Sequence, residues 1–183
     1  DQKWFSNDFD RSRCRASRIF DRVSFSSIRD SPIRRNVRVM GFDPGTATTG
    51  WACVDAKLGQ KPRLIDCGII TTPAKTALAT RLKTLHSAVA KLIYKHQPDQ
   101  VAVEELFFAK NRTTAIAVSH ARGVILLAIA QAKLPLTEYT PPEIKQALVG
   151  YGNATKSQVQ AILPAHIEAS EYPTQDDTCD AVA

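Results

Sequence analysis

Four acidic side chains stand out for chemistry: Asp43, Glu104 and the pair Asp177 and Asp180. Asp43 closes the alternating run Val37-Arg38-Val39-Met40-Gly41-Phe42 and is followed by a Pro44-Gly45 turn, while Glu104 closes a second short apolar run that starts at Gln100. Asp177 and Asp180 stand three apart, a spacing that on a helix puts both on one face with Cβ atoms roughly 5–6 Å apart. Carboxylates brought from such distant parts of a chain into one partly buried site repel each other by several kcal/mol unless cations neutralise them. Mg²⁺, with Mn²⁺ able to substitute, suits such an all-oxygen set. Two such ions about 3.5–4 Å apart can activate a water and stabilise the leaving oxygen of a phosphodiester. The expected chemistry is hydrolytic strand cleavage, with two ions per subunit held by Asp43, Glu104, Asp177 and Asp180. Each acid alone has a plainer reading as a helix cap or solvated turn residue, Asp177 above all, because a helix start favours an acid.

For these acids to meet, the chain must fold so that strand ends and a late helix converge. Val37–Asp43, Trp51–Asp55 and Arg63–Thr71 read as three strands of an antiparallel meander, with a turn at 57–62. Leu78, Leu82, Leu85, Val89, Leu92 and Ile93 form the apolar stripe of a helix over Ala74–His96, broken by Pro98-Asp99. Gln100–Glu105 is a fourth strand. Thr113–Ala132 is an Ala-rich helix with apolar residues on nearly every face; it is buried either between the core and a second subunit or wholly inside one. Leu134–Tyr139 is a fifth strand, and Thr140-Pro141-Pro142-Glu143 has the form of a capping box with Pro at the first helical position. Asn153 is the expected N-cap of a further helix that Pro164 ends or kinks, and a last helix begins near Asp177. This order predicts an α/β fold, a five-stranded mixed sheet flanked by helices on both faces, in the ribonuclease-H-like layout. There the first and fourth strands are neighbours whose ends open on the same edge.

The chain of 183 residues is 44% apolar and 23% charged, which fits one globular domain with a sizeable core. No run of about 18 apolar residues and no signal-peptide core is present, which points to a cytoplasmic protein. Cys14, Cys53, Cys67 and Cys179 make no CxxC pair and read as reduced thiols. The net charge of +6 is unevenly spread: residues 1–40 carry ten Lys and Arg against five Asp, the remainder fourteen against thirteen. Charge alone is therefore a poor reason to expect nucleic acid. Residues 1–36 read as a flexible basic leader preceding a domain over 37–183. Organelle import through that leader is the lesser alternative, because its five Asp are foreign to transit peptides. The closing helix runs barely two turns before Ala183, so it is expected to be incomplete.

Several long motifs carry a resemblance. Gly41-Phe42-Asp43-Pro44-Gly45-Thr46-Ala47-Thr48-Thr49-Gly50-Trp51, then Val103-Glu104-Glu105-Leu106-Phe107-Phe108-Ala109-Lys110-Asn111 and Ala121-Arg122-Gly123, stand in the order found in the RuvC Holliday-junction resolvases. Glu138-Tyr139-Thr140-Pro141, Val149-Gly150-Tyr151-Gly152, Lys156-Ser157-Gln158-Val159-Gln160 and Asp176-Asp177-Thr178-Cys179-Asp180-Ala181 are similar to the later motifs of that family. The resemblance spans Val37 to Ala183. It implies a structure-selective endonuclease that resolves four-way junctions by paired symmetric cuts in recombination and repair, located at the nucleoid. It puts the metal ligands at Asp43, Glu104, Asp177 and Asp180, with Asp176 and Glu105 as neighbours that do not touch the metal. It makes Phe107, with Phe108 beside it, the aromatic that wedges the junction, which suits a side chain able to stack on bases. Lys145 and Lys156 match lysines used near the scissile phosphate and the DNA backbone, and Lys156 falls in a first helical turn, where free N–H groups favour phosphate. Lys110, Asn111 and Arg122 are further candidates for DNA contact. Symmetric cutting implies a homodimer, with the helix over Thr113–Ala132 as its interface, and the resemblance also implies association with a branch-migration helicase.

Plainer readings stand beside these: core packing for the two phenylalanines, a solvated charge for each basic residue. Asp43-Pro44-Gly45-Thr46 also resembles the phosphate-binding turn of actin-like ATPases and sugar kinases, but those need two lobes and leave Glu104 and the Asp177/Asp180 pair unexplained. The related nucleases that process ribosomal RNA precursors share the layout without the run from Phe107 to Asn111. A junction-binding protein without catalysis would not need the intact acids.

Overall fold

A strand in the middle of a sheet needs a hydrogen-bonded partner on each side, and β1 (Val37–Asp43) has both. It runs antiparallel to β2 (Thr48–Ala56), with Asp43 opposite Gly50, and parallel to β4 (Gln100–Glu104), with Phe42 beside Val103. β3 (Arg63–Thr71) adds antiparallel to β2, and β5 (Leu136–Tyr139) adds parallel to β4, giving a five-stranded sheet in the order β3-β2-β1-β4-β5. Parallel neighbours require long crossovers. They are supplied by α1 (Leu78–His96) before β4 and α2 (Arg112–Gln131) before β5. After β5 come α3 (Pro141–Val149), α4 (Lys156–His166) and α5 (Asp176–Val182). The computed structural model describes residues 36–105, 112–173 and 176–183. The mixed sheet and its element order are those the sequence predicts; the leader expected over residues 1–36 lies outside the described residues, residue 36 excepted.

Side chains alternate across a strand, so each strand feeds two cores. Met40, Phe42, Trp51, Cys53, Val101 and Val103 meet Leu85, Val89 and Ile93 of α1 and Ala121, Ile125 and Ile129 of α2. On the opposite face Ala52 meets Leu148 of α3, Val159 and Leu163 of α4, and Cys179 and Val182 of α5. Alternation then assigns Asp43 and Glu104 to this second face, the one carrying α3, α4 and α5.

Several boundaries differ from the sequence pattern for identifiable reasons. α1 begins at Leu78 rather than Ala74, because Ala77 stands at its N-cap without a capping side chain and Thr76 N–H is already bonded to Pro73 O in a turn. β2 extends back to Thr48, which pairs with Thr71 at the end of β3. β5 begins only at Leu136, because Lys133 takes a left-handed conformation (φ 57°) and Leu134 N–H returns to Ile129 O to finish α2. Thr155, not Asn153, caps α4: its hydroxyl accepts from Gln158 N–H while the Gln158 side chain returns to Thr155 N–H. That reciprocal pair satisfies two orphan donors where Asn153 would satisfy one. Pro164 lies inside α4, which ends two residues later at His166. The Thr140 capping box is present as expected. α2 is not wholly internal, since Ile116 and Leu127 are 62% and 51% exposed while Ala121 and Ile125 are fully buried.

Candidate active site

The parallel register of β1 and β4 ends on Phe42 beside Val103, and one further step sets Asp43 beside Glu104 on the same face. Their carboxyl groups are hydrogen-bonded to each other, and both are largely withdrawn from water. Burial, reinforced by the charge of Asp180 and then of Asp177, pushes Asp43 up to about 6, against the pull of its hydrogen bond to Glu104. Burial also pushes Glu104 up to about 7, with the charge of Asp43 and the hydrogen bond to it acting in the same direction. A hydrogen bond between two carboxyl groups requires a proton on one of them. The two acids take up and release that proton as a unit.

Asp177 and Asp180 arrive on α5, which lies against β1 and β2 at backbone contact distance. A Cβ on Gly41 would collide with the carbonyl oxygen of Ala181, and a Cβ on Gly50 with that of Asp177. These two glycines form a floor on which the helix rests. On its inner side α5 buries Thr178 and Cys179, and the Cys179 thiol donates to Pro173 O at 3.0 Å. Asp180 is held from the other side by Lys156, whose Nζ lies 2.7 Å from Oδ2. Lys156 opens α4, so the Thr155 cap fixes where that ammonium starts. Its charge also favours the ionised forms of Asp43 and Glu104.

The charges of Asp177 and Asp180 on α5 thus reach Asp43 on β1, and that of Asp180 also reaches Glu104 on β4. Among the described residues no three acidic, imidazole or thiol groups are drawn together at coordination distance. The positive charge that the cluster demands is met by the proton shared by Asp43 and Glu104 and by the Lys156 ammonium. Both are exchangeable, and an all-carboxylate set that holds a proton so firmly fits a hard divalent cation.

The other candidates divide. Lys156 is brought to the acids, whereas Lys145, half-buried on α3, makes no ion pair with another described residue. Arg122 is turned away: its guanidinium pairs with Glu138, which sits beside Val103 in the β4–β5 register and so faces α1 and α2, across the sheet from Asp43. Sequence reveals its charge but not that partner. Glu105 is exposed, and its N–H donates to Tyr139 O at 2.8 Å. Phe107, Phe108, Lys110 and Asn111 lie outside the described residues, as does the side chain of Asp176. Gly41 and Gly50 were not singled out for this role from the sequence. Their signal was available, since a glycine inside a strand marks a place where another backbone approaches closely.

Comparison with known proteins adds a family. The family model described as crossover junction endodeoxyribonuclease RuvC matches residues 39–183. A crossover junction endodeoxyribonuclease RuvC of Halothermothrix orenii is 51% identical over 145 residues, 79% of this chain and 87% of that protein. The protein of the same name from Moorella thermoacetica is 49% identical over 146 residues, 79% of this chain and 86% of that one. Among solved structures, T. thermophilus RuvC in complex with Holliday junction substrate is similar with a TM-score of 0.74 and 32% identity, covering 80% of this chain and 88% of that one. The yeast mitochondrial Holliday junction resolvase shares the fold, with a TM-score of 0.59 at 14% identity over 86% of this chain and 81% of that one.

Two outcomes follow from the geometry. Gly50→Ala is expected to lose about 1–3 kcal/mol in urea unfolding, the range for overpacking, because neither the Asp177 carbonyl nor β2 can yield; a wild-type midpoint would show that α5 does not rest there. The second concerns pH. In EDTA the folded protein holds protons on Asp43 and Glu104 that the unfolded chain has released above about pH 4.5, taking ordinary carboxyl values. Stability from this pair is therefore present at low pH and lost as pH rises through about 6–7. Glu104→Gln should flatten that slope in thermal melts between pH 5 and 8, and an equally steep slope in the variant would remove the shared proton from the account.

Proposed function

The chain belongs to the RuvC family of crossover junction endodeoxyribonucleases, and from that membership we propose that it resolves four-way DNA junctions by paired, symmetric, metal-dependent phosphodiester hydrolysis in recombination and repair. The observation that carries this reading is the hydrogen-bonded Asp43–Glu104 pair, with Asp180 acting on both acids, at the edge where β1 and β4 end. Asp43, Glu104, Asp177 and Asp180 are the residues that would hold Mg²⁺ or Mn²⁺. Two bound ions supply Lewis acidity for a water nucleophile and for the leaving oxygen.

The chain's own residues do the rest. The sheet holds Asp43 and Glu104 in register, and their burial keeps bulk water from solvating them, so that their charge is available to a cation. Lys156 holds Asp180 by an ion pair and opens α4, where its ammonium and the N–H groups of the first turn would meet a phosphate of the scissile strand. Lys145 is a second phosphate contact in this reading, reaching from α3. Arg122 is assigned no phosphate, because Glu138 already neutralises it. Phe107, Phe108, Lys110 and Asn111 follow Glu105 directly in the chain and are assigned to the branch point, the aromatics stacking on bases that the junction exposes.

A junction presents two strands of like polarity, so symmetric cutting needs two sites related by a two-fold axis. Ile116 and Leu127 are eleven residues apart on α2, three helical turns, so both lie on one outward stripe, and Gly123 between them has open space above it. We assign this stripe to a second copy of the chain.

The test is cleavage of a synthetic four-way junction beside a linear duplex and a single-stranded RNA, with Mg²⁺ or EDTA, by wild type and Asp43→Asn. Paired symmetric nicks confined to the junction and abolished by EDTA or by the substitution are expected. Equal cutting of linear DNA, or of RNA, would overturn junction selectivity, and tight ATP binding would favour an actin-like module. Ile116→Asp with Leu127→Asp should shift the protein to monomer in sedimentation and uncouple the paired nicks; a dimer that persists would move the interface elsewhere.

A further inference from the structure

Asp43 is the last residue of β1, and residues 44–47 turn the chain into β2. Surface turns are commonly tied down by little beyond their flanking strands. In this one, three successive carbonyls are all bonded to protein. Thr49 Oγ1 donates to Gly45 O at 2.6 Å, and Thr72 N–H donates to Ala47 O at 2.9 Å. Thr46 O receives two donors, the Thr72 hydroxyl and Nη2 of Arg81, the latter at 2.8 Å. Nε of Arg81 donates to Thr72 Oγ1 at 2.9 Å, so the guanidinium spans the turn and the residue that follows β3. Thr49 and Thr72 are buried, which makes them fixed anchors.

Arg81 itself is placed where an arginine is otherwise disfavoured. It lies near the start of α1, where the macrodipole opposes a cation, and no acidic residue stands in that helix's first turn. No ion pair joins it to a described residue, so its charge is used on neutral oxygens. A solvated arginine would gain nothing from this position. A planar fork across two fixed oxygens does.

We propose that Arg81 is a positioning residue for Asp43: from α1 it locks the turn after β1 and so sets where the Asp43 carboxylate stands relative to Glu104 and α5. The inference rests on the reading of Asp43 as a metal ligand and deepens it. Ligand geometry has to be kept within about 0.5 Å by supporting contacts. Pro44 stiffens the link from the turn to the Asp43 peptide, because its φ is fixed. Removing the fork leaves Thr46 O still bonded to Thr72, so the turn loosens without the fold being lost.

The experiment compares wild type, Arg81→Ala, Arg81→Lys and, as a control for charge on α1, the exposed Lys83→Ala. Amide hydrogen exchange is followed in metal-free protein over residues 43–50, Mn²⁺ binding is measured by calorimetry, and kcat and KM are measured on the junction. Arg81→Ala should speed exchange in that segment by about 10-fold or more, raise the Mn²⁺ Kd by about 10–100-fold, and lower kcat with little change in KM. Arg81→Lys keeps the charge but donates from one point, so it should stay measurably impaired. Lys83→Ala should match wild type. Unchanged exchange over 43–50 in Arg81→Ala, wild-type Mn²⁺ affinity in that variant, or full activity in Arg81→Lys would each overturn the proposal. Wild-type protein that binds no Mn²⁺ would instead overturn the metal assignment of Asp43, while the exchange comparison, which needs no ion, still decides whether Arg81 holds the turn.

Discussion

Mutual repulsion of carboxylates held out of water is the constraint around which this molecule is arranged. Burial raises the affinity of Asp43 and Glu104 for protons, and the charge of Asp180 raises it further. Such a cluster would spread apart unless stiff elements fixed each member. β1 and β4 do so through parallel hydrogen bonding, since neither strand can slide without breaking its register on both sides. α5 does so through burial of Thr178, Cys179 and Val182 and through the glycine floor beneath it. What the scaffold cannot supply is positive charge, and the proton shared by Asp43 and Glu104 and the ammonium of Lys156 provide it. The fold therefore maintains a standing demand for cations at one edge of the sheet.

The two faces of the sheet divide the work. The face under α1 and α2 is an apolar core from Met40 to Ile129, edged by ion pairs between Arg122 and Glu138, Arg38 and Asp55, and Lys95 and Asp66. The other face carries α3, α4 and α5 and receives the acids by simple alternation. Because side chains alternate with period two, moving an acid by one position would bury it in the apolar core. Asp43 and Glu104 thus share a face because both close their strands in the same phase. Arg81 is the described link from the α1 layer to the turn that follows Asp43.

Much of this was legible in the sequence, and the reasons are local. Asp43 and Glu104 each end an alternating or apolar run, and strand period together with strand end sufficed to place them. The Asp177 and Asp180 spacing gave a helical pair correctly, but not where that helix would dock, because its seat on Gly41 and Gly50 joins residues more than 120 positions apart. Lys133, a non-glycine residue, takes a left-handed backbone angle that its type does not announce, which is why β5 begins at Leu136 and not at Leu134. Asn153 and Thr155 are both good N-caps by type; only Gln158, three residues after Thr155, distinguishes them. For basic residues the sequence gives a charge and no partner, so Arg122 and Lys156 looked alike until one was paired across the sheet and the other at the acids.

That difference bears on how a nearly neutral domain can hold DNA. Beyond residue 40 the chain carries fourteen Lys and Arg against thirteen Asp and Glu, and four of those acids make up the site. While they are uncompensated, their field opposes a phosphate backbone, and Lys156 is committed to Asp180. Two divalent ions would bring about four positive charges to the cluster, which would cancel the four carboxylates and leave the Lys156 ammonium as the net charge. On the proposed reading, the cations that supply the chemistry would also remove the field that repels phosphate, so junction affinity would follow metal occupancy more than overall charge.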